Sequence, residues 1–137
     1  MKIDEVLEIA AGVIVRDDQV LICQRKEDTS HPMQWEFPGG KIEDGESPRD
    51  ALRREMVEEL AIDVNIDEEL LDYEYTYSNG LTVHLTFFLI SDFVPEPINL
   101  AFADIQWVAV GELDEYDFLD GDQSIINFLQ YTFPESP

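Results

Sequence analysis

Gly40-Lys-Ile-Glu-Asp-Gly-Glu46-Ser-Pro-Arg-Asp-Ala-Leu-Arg-Arg54-Glu55-Met-Val-Glu58-Glu59-Leu-Ala-Ile62 joins a glycine-marked turn to an amphipathic segment. Ser47 suits an N-cap, Pro48 the first helical position and Asp50 the positive end of a helix, so a helix is expected from Pro48 to about Leu60. Leu52, Met56, Val57 and Leu60 then make an apolar stripe for packing. Glu55, Glu58 and Glu59, at i, i+3 and i+4, project from neighbouring positions beside that stripe. Three hard oxygen donors so grouped suit Mg²⁺ or Mn²⁺. The plain alternative is a solvated acidic helix face.

Upstream of the turn, residues 7–16 and 19–24 are β-rich runs separated by Asp17-Asp18, which reads as a hairpin. Residues 26–34 are polar and contain Pro32, a loop able to border a site, and Pro38-Gly39-Gly40 punctuates the chain after Trp35-Glu-Phe37. Downstream, strand-like runs occupy residues 70–77, 81–90 and 106–110, with Ser78-Asn79-Gly80 as a hairpin turn between the first two. Ile125, Ile126, Phe128 and Leu129 recur at helical spacing within residues 123–131, with Asp122 or Gly121 as the cap. The expected architecture is α/β, a mixed sheet flanked by two helices, with residues 133–137 as a loose tail.

A length of 137 residues with 45% hydrophobic content fits one domain spanning 1–137. No apolar run approaches the roughly 20 residues that span a bilayer, and the first five residues carry no apolar signal core. A soluble, cytoplasmic protein without membrane partners is expected. The single cysteine, Cys23, excludes an internal disulfide and reads as a buried structural thiol. A net charge of −23, from 8 Lys+Arg against 31 Asp+Glu, repels polyanions and argues against nucleic-acid binding. The acidity itself fits a solvated surface or a high-salt host.

Gly40, Glu46, Arg54, Glu55, Met56, Glu58, Glu59 and Ile62 fall in register with the signature of the Nudix hydrolases, which the chain resembles. Trp35-Glu-Phe-Pro-Gly-Gly-Lys-Ile-Glu43, Arg25, Trp107-Val108 and Asp117-Phe118 leading to Asp122 extend the resemblance to the MutT-like branch, over nearly the whole chain. Ala61 departs from it, standing where the signature has its last glycine, and Ala101 stands where that branch carries a further loop glutamate; Asp104 and Glu96 are the weak substitutes.

The resemblance implies an α/β/α sandwich with a mixed sheet. It implies a divalent metal held by Glu55, Glu58, Glu59 and the Gly39 carbonyl, with a glutamate activating water, and Glu46 with Arg54 as the supporting pair in the catalytic set. Arg25 and Lys41 would face the triphosphate, and Phe37 and Asp122 the base, Asp122 replacing an asparagine used by 8-oxo-guanine-cleansing enzymes. An ionised aspartate accepts hydrogen bonds and donates none, which suits cytosine N4 and equally the N1–H and N2 amino edge of a guanine, without deciding between them.

The implied reaction is Mg²⁺-dependent hydrolysis of a nucleoside triphosphate to the monophosphate and pyrophosphate, with 8-oxo-dGTP first. CTP or a modified dCTP, ADP-ribose or another nucleoside diphosphate derivative, and a non-catalytic nucleotide sensor are the alternatives. Either a monomer or a homodimer is expected.

Overall fold

The computed structural model describes residues 6–133; the expected loose tail falls mostly outside them, at 134–137. Strands β1 (Val6–Arg16) and β2 (Gln19–Gln24) form the expected hairpin, and both turn residues, Asp17 and Asp18, take positive φ (51° and 66°). That handedness matches the twist of the flanking strands. The short β3 (Trp35–Glu36) and β4 (Gly39–Lys41) follow, then α1 (Pro48–Leu60), β5 (Asp63–Thr76), β6 (Thr82–Val94), β7 (Asp104–Ala109) and α2 (Gln123–Thr132).

The sheet is mixed. β1 runs parallel to β6 from Val6↔Thr82 to Ile14↔Ile90, while β2, β4, β5 and β7 all join by antiparallel pairing. Alternate residues of the central strands face opposite helices. Ala10, Ile14, Leu21, Cys23, Phe88 and Ile90 pack with Leu52, Met56 and Leu60 of α1. Ala11, Val13, Val20, Ile22, Leu85 and Phe87 pack with Ile125, Ile126 and Leu129 of α2. The sandwich is therefore three-layered, with one core on each face of the sheet.

Three local expectations are corrected. Val57 is 52% exposed and leaves the packing stripe to Leu52, Met56 and Leu60. β5 starts at Asp63, not at 70, because pairing with β6 holds the acidic stretch Asp63-Val-Asn-Ile-Asp-Glu-Glu69 extended despite poor strand propensity, with register shifts between Asn65 and Leu71. Asp122 precedes α2 but makes no side-chain cap bond; a 3₁₀ turn over Asp120–Asp122 leads into the helix instead. Among the described residues no helix is long and apolar enough to cross a membrane. Cys23 is fully buried, which raises its thiol pKa well above the usual value.

Candidate active site

The turn before α1 and the strand pair β1–β4 aim the acidic helix. Ser47 Oγ accepts the Asp50 N–H at 3.1 Å, fixing the helix start. Gly39, at φ 152°, lies so close to β1 that a Cβ there would come within 2.2 Å of the Ala10 carbonyl oxygen. At the far end Ala61 takes φ 56° and ψ 40°, and the Ala61 and Ile62 amides bond back to the Val57 and Met56 carbonyls at 3.1 and 3.4 Å. This is a left-handed helix exit built on alanine, which carries a steric cost that glycine would not.

Arg54 is the centre of the charge network. Its Nε and Nη2 donate to the two Glu46 carboxylate oxygens at 2.8 and 2.9 Å, its Nη1 lies 3.0 Å from Glu55 and 3.3 Å from Glu58, and Nη2 also reaches the Lys41 carbonyl at 3.1 Å. Bonding to Arg54, with help from the Glu43 amide, holds the Glu46 carboxyl down at about 2. Glu59 stands apart, accepting the Gly39 N–H at 3.1 Å. Burial, then the charges of Glu55 and Glu36, push its pKa up to about 9.

The helical wheel brings Glu55, Glu58 and Glu59 to one side, but the structure divides them: two turn toward Arg54 and the third toward Gly39. Among the described residues no three His, Cys, Asp or Glu side chains converge closely enough to hold an ion. The donor set nonetheless fits a divalent cation chemically. The charges of Glu55 and Glu58 raise the proton affinity of Glu59, that of Glu58 adds to the rise at Glu55, and Gly40 has no side chain to occupy the space against Glu55.

A cavity of about 290 Å³ opens beside Gly39, Gly40 and Glu59 and extends to Arg25, Glu36, Phe37 and Asp122. Arg25 is partly committed, bonding Glu36 at 3.2 Å and the Ser30 carbonyl at 2.8 Å. Phe37 is buried against Phe87 and Phe118, and so underlies the cavity. Asp122 is buried; burial, then Glu36, raise its pKa well above the usual range, outweighing the opposing influence of the Phe37 backbone and Arg25. Burial thus works against the ionised Asp122 expected from the sequence, and in the protonated form that it favours a carboxyl both donates and accepts. Lys41 is exposed and joins the network only through its carbonyl.

Neither substitute for the glutamate missing at Ala101 lines this cavity. Glu96 pairs with Arg16 in a larger cleft of about 1280 Å³ at the other end of β1, and Asp104 accepts from Ile105 and Gln106. Sequence reasoning missed Glu36, Tyr77 and His31 as cavity residues. Glu36 had a legible signal, since it directly precedes Phe37 on a two-residue strand.

The NUDIX domain family model matches residues 6–129. An 8-oxo-dGTP diphosphatase of Haemophilus influenzae is 31% identical over 127 residues, covering 91% of this chain and 92% of that protein. A CTP pyrophosphohydrolase of Escherichia coli is 37% identical over 89 residues, 65% of either chain. The solution structure of the E. coli ORF135 protein superposes with a TM-score of 0.83 at 28% identity, over 97% of this chain and 96% of that one. Likeness that runs along both helices and the whole sheet, and not through the acidic helix alone, establishes that this chain belongs to the NUDIX domain family and is one of its hydrolases.

Proposed function

We propose that this hydrolase cleaves a nucleoside triphosphate to the nucleoside monophosphate and pyrophosphate. The observation that carries the reading is the single cavity lined both by Phe37 and Asp122 and by Gly40 and Glu59 of the acidic turn and helix. A base held beside Asp122 puts its phosphate chain toward the carboxylates. Water attacks the β phosphorus, the bond from that phosphorus to the oxygen bridging to the α phosphate breaks, and the monophosphate leaves.

Glu55, Glu58 and Glu59, with the Gly39 carbonyl, would hold Mg²⁺ or Mn²⁺, which when bound offsets the charge of the pyrophosphate and lowers the pKa of water. Arg54 holds Glu55 and Glu58 in place and is itself aligned by Glu46. Arg25 supplies positive charge at the cavity in an otherwise acidic protein.

In its protonated form, which burial favours, the Asp122 carboxyl matches a base edge that offers a donor beside an acceptor. The N7–H and O6 of 8-oxo-guanine do so, which supports 8-oxo-dGTP as the leading substrate, as does the H. influenzae relative. Cytosine N4 and N3 do so as well, and the E. coli CTP pyrophosphohydrolase supports CTP as the second reading.

Pyrophosphate release with Mg²⁺, measured on 8-oxo-dGTP, dGTP, CTP, dCTP and ADP-ribose, tests the proposal. Preferential turnover of one triphosphate is expected, with a loss of about 10³-fold or more in Glu58→Gln. Release from none of them, or a fully active Glu58→Gln, overturns it.

A further inference from the structure

Asp122 has no helix cap to hold it, and its turn is instead gripped by strand β5. Tyr73 and Tyr75 of that strand and Tyr77, the residue just past its end, pack on the core beneath α2. The Tyr73 hydroxyl donates to the Gly121 carbonyl at 2.6 Å, and the Gly121 N–H donates to the Tyr77 hydroxyl oxygen at 3.3 Å. Both polar groups of the residue before Asp122 are thus engaged by tyrosines four positions apart, one within β5 and one just past its end. The approach is close: a Cβ on Gly121 would come within 2.5 Å of the Tyr77 hydroxyl oxygen. Tyr77 also meets the His31 ring, with centroids 5.0 Å apart, and so links this turn to the loop on the far side of the cavity.

We propose that Tyr73 and Tyr77 are positioning residues for base selection, clamping the Gly121 peptide so that the Asp122 carboxyl stands at one fixed place in the cavity. The inference rests on the nucleotide reading above and names the part of the fold that sets its selectivity. Discrimination between bases by a single carboxyl depends on where its oxygens lie, because a displaced group leaves one of its own or the base's polar atoms unpaired. The 3₁₀ turn is only three residues long and supplies little rigidity itself. The hydroxyls of Tyr73, within the stretch 71–76 of β5 that pairs unbroken with β6, and of Tyr77 just beyond it provide it.

Tyr73→Phe and Tyr77→Phe remove each hydroxyl and keep the ring. Tyr75→Phe is the control, since Tyr75 meets Tyr77 ring to ring at 4.9 Å. The readout is the ratio of kcat/KM between the best and second-best triphosphates, with kcat and KM separated, alongside the melting-temperature increase that each nucleotide induces. The ratio is expected to fall about tenfold in Tyr73→Phe and Tyr77→Phe, through KM more than kcat, while Tyr75→Phe stays within about twofold of the parent. A purely structural role would lower stability and all substrates alike.

Folded Tyr73→Phe and Tyr77→Phe proteins with the parent's ratio overturn the clamp. If the parent releases no pyrophosphate yet is stabilised by one nucleotide over the others, hydrolysis is refuted and the clamp is judged on that binding preference. A parent that distinguishes no nucleotide by either measure overturns the clamp too.

Discussion

The Glu55 carboxylate stands where a side chain on Gly40 would be: a Cβ there would lie 2.5 Å from both its Cδ and its Oε1. The blocking atoms are the far end of a flexible side chain, so an added methyl can displace them at little cost to the fold. Gly40→Ala should therefore melt within about 3 °C of the parent while losing at least about tenfold in kcat. Gly39 differs, because there the blocking atom is the Ala10 carbonyl oxygen and φ is 152°. Gly39→Ala should cost about 3 kcal/mol of stability by urea denaturation. Equal stability losses in the two variants would refute the distinction.

Acid stability should report on the fork between Arg54 and Glu46. A carboxyl held at about 2, against an ordinary value near 4.5, adds stability that is fully present above the ordinary value and is lost as pH falls through about 2. Glu46→Gln should accordingly melt below the parent at pH 7, with the two curves converging between about pH 4.5 and pH 2. A gap in melting temperature that stays constant over that range would disprove the linkage.

Glu59 works in the opposite sense. Burial and its neighbours' charges raise its carboxyl to about 9, so folding favours the protonated form and stability declines as pH rises from the ordinary carboxylate value toward 9. Without divalent cations, Glu59→Gln should melt several degrees above the parent at pH 8. Mg²⁺ binding to the parent should release a proton and tighten as pH rises toward 9, because the ligand must ionise. Calorimetry in buffers of different ionisation enthalpy measures that proton. A pH-independent Mg²⁺ affinity, or a destabilised Glu59→Gln, would contradict this account.

Ala61 takes the left-handed conformation at the end of α1. Ala61→Gly relieves a strain of about 1–2 kcal/mol but frees the unfolded chain, for a net gain of about 0.5–1 kcal/mol. Urea unfolding should detect it, with turnover within about twofold of the parent. A loss of stability would mean that the alanine methyl contributes packing that outweighs the strain.

Local signals carried much of the architecture. Ser47-Pro48, Asp17-Asp18 and Asn79-Gly80 each dictate a backbone conformation over a few residues, and the helix start and both hairpins follow from them. Asp63 to Glu69 were illegible as strand because their extended form depends on β6, far along the chain. Val57 fits the stripe on a helical wheel, yet it stays half exposed while Leu52, Met56 and Leu60 fill the core beneath α1.

At the site, charge and spacing were readable in Glu46, Arg54, Glu55, Glu58 and Glu59, but their partners were not. Arg54 reaches Glu55 and Glu58 as well as Glu46, which only the folded turn reveals. Asp122 is the sharpest case, since its burial, and then the charge of Glu36, work against ionisation and neither is visible in the sequence.

The two cores on opposite faces of the sheet have an evolutionary consequence. Leu52, Met56 and Leu60 seat the acidic helix on one face, while Tyr73, Tyr77, Phe118 and Ile125 support the turn that carries Asp122 from the other. A mutation around Asp122 strains neighbours that do not seat the acidic helix. On the proposed function, descendants of such a chain would change nucleotide preference by substitutions within that one layer while the acidic helix keeps its seat.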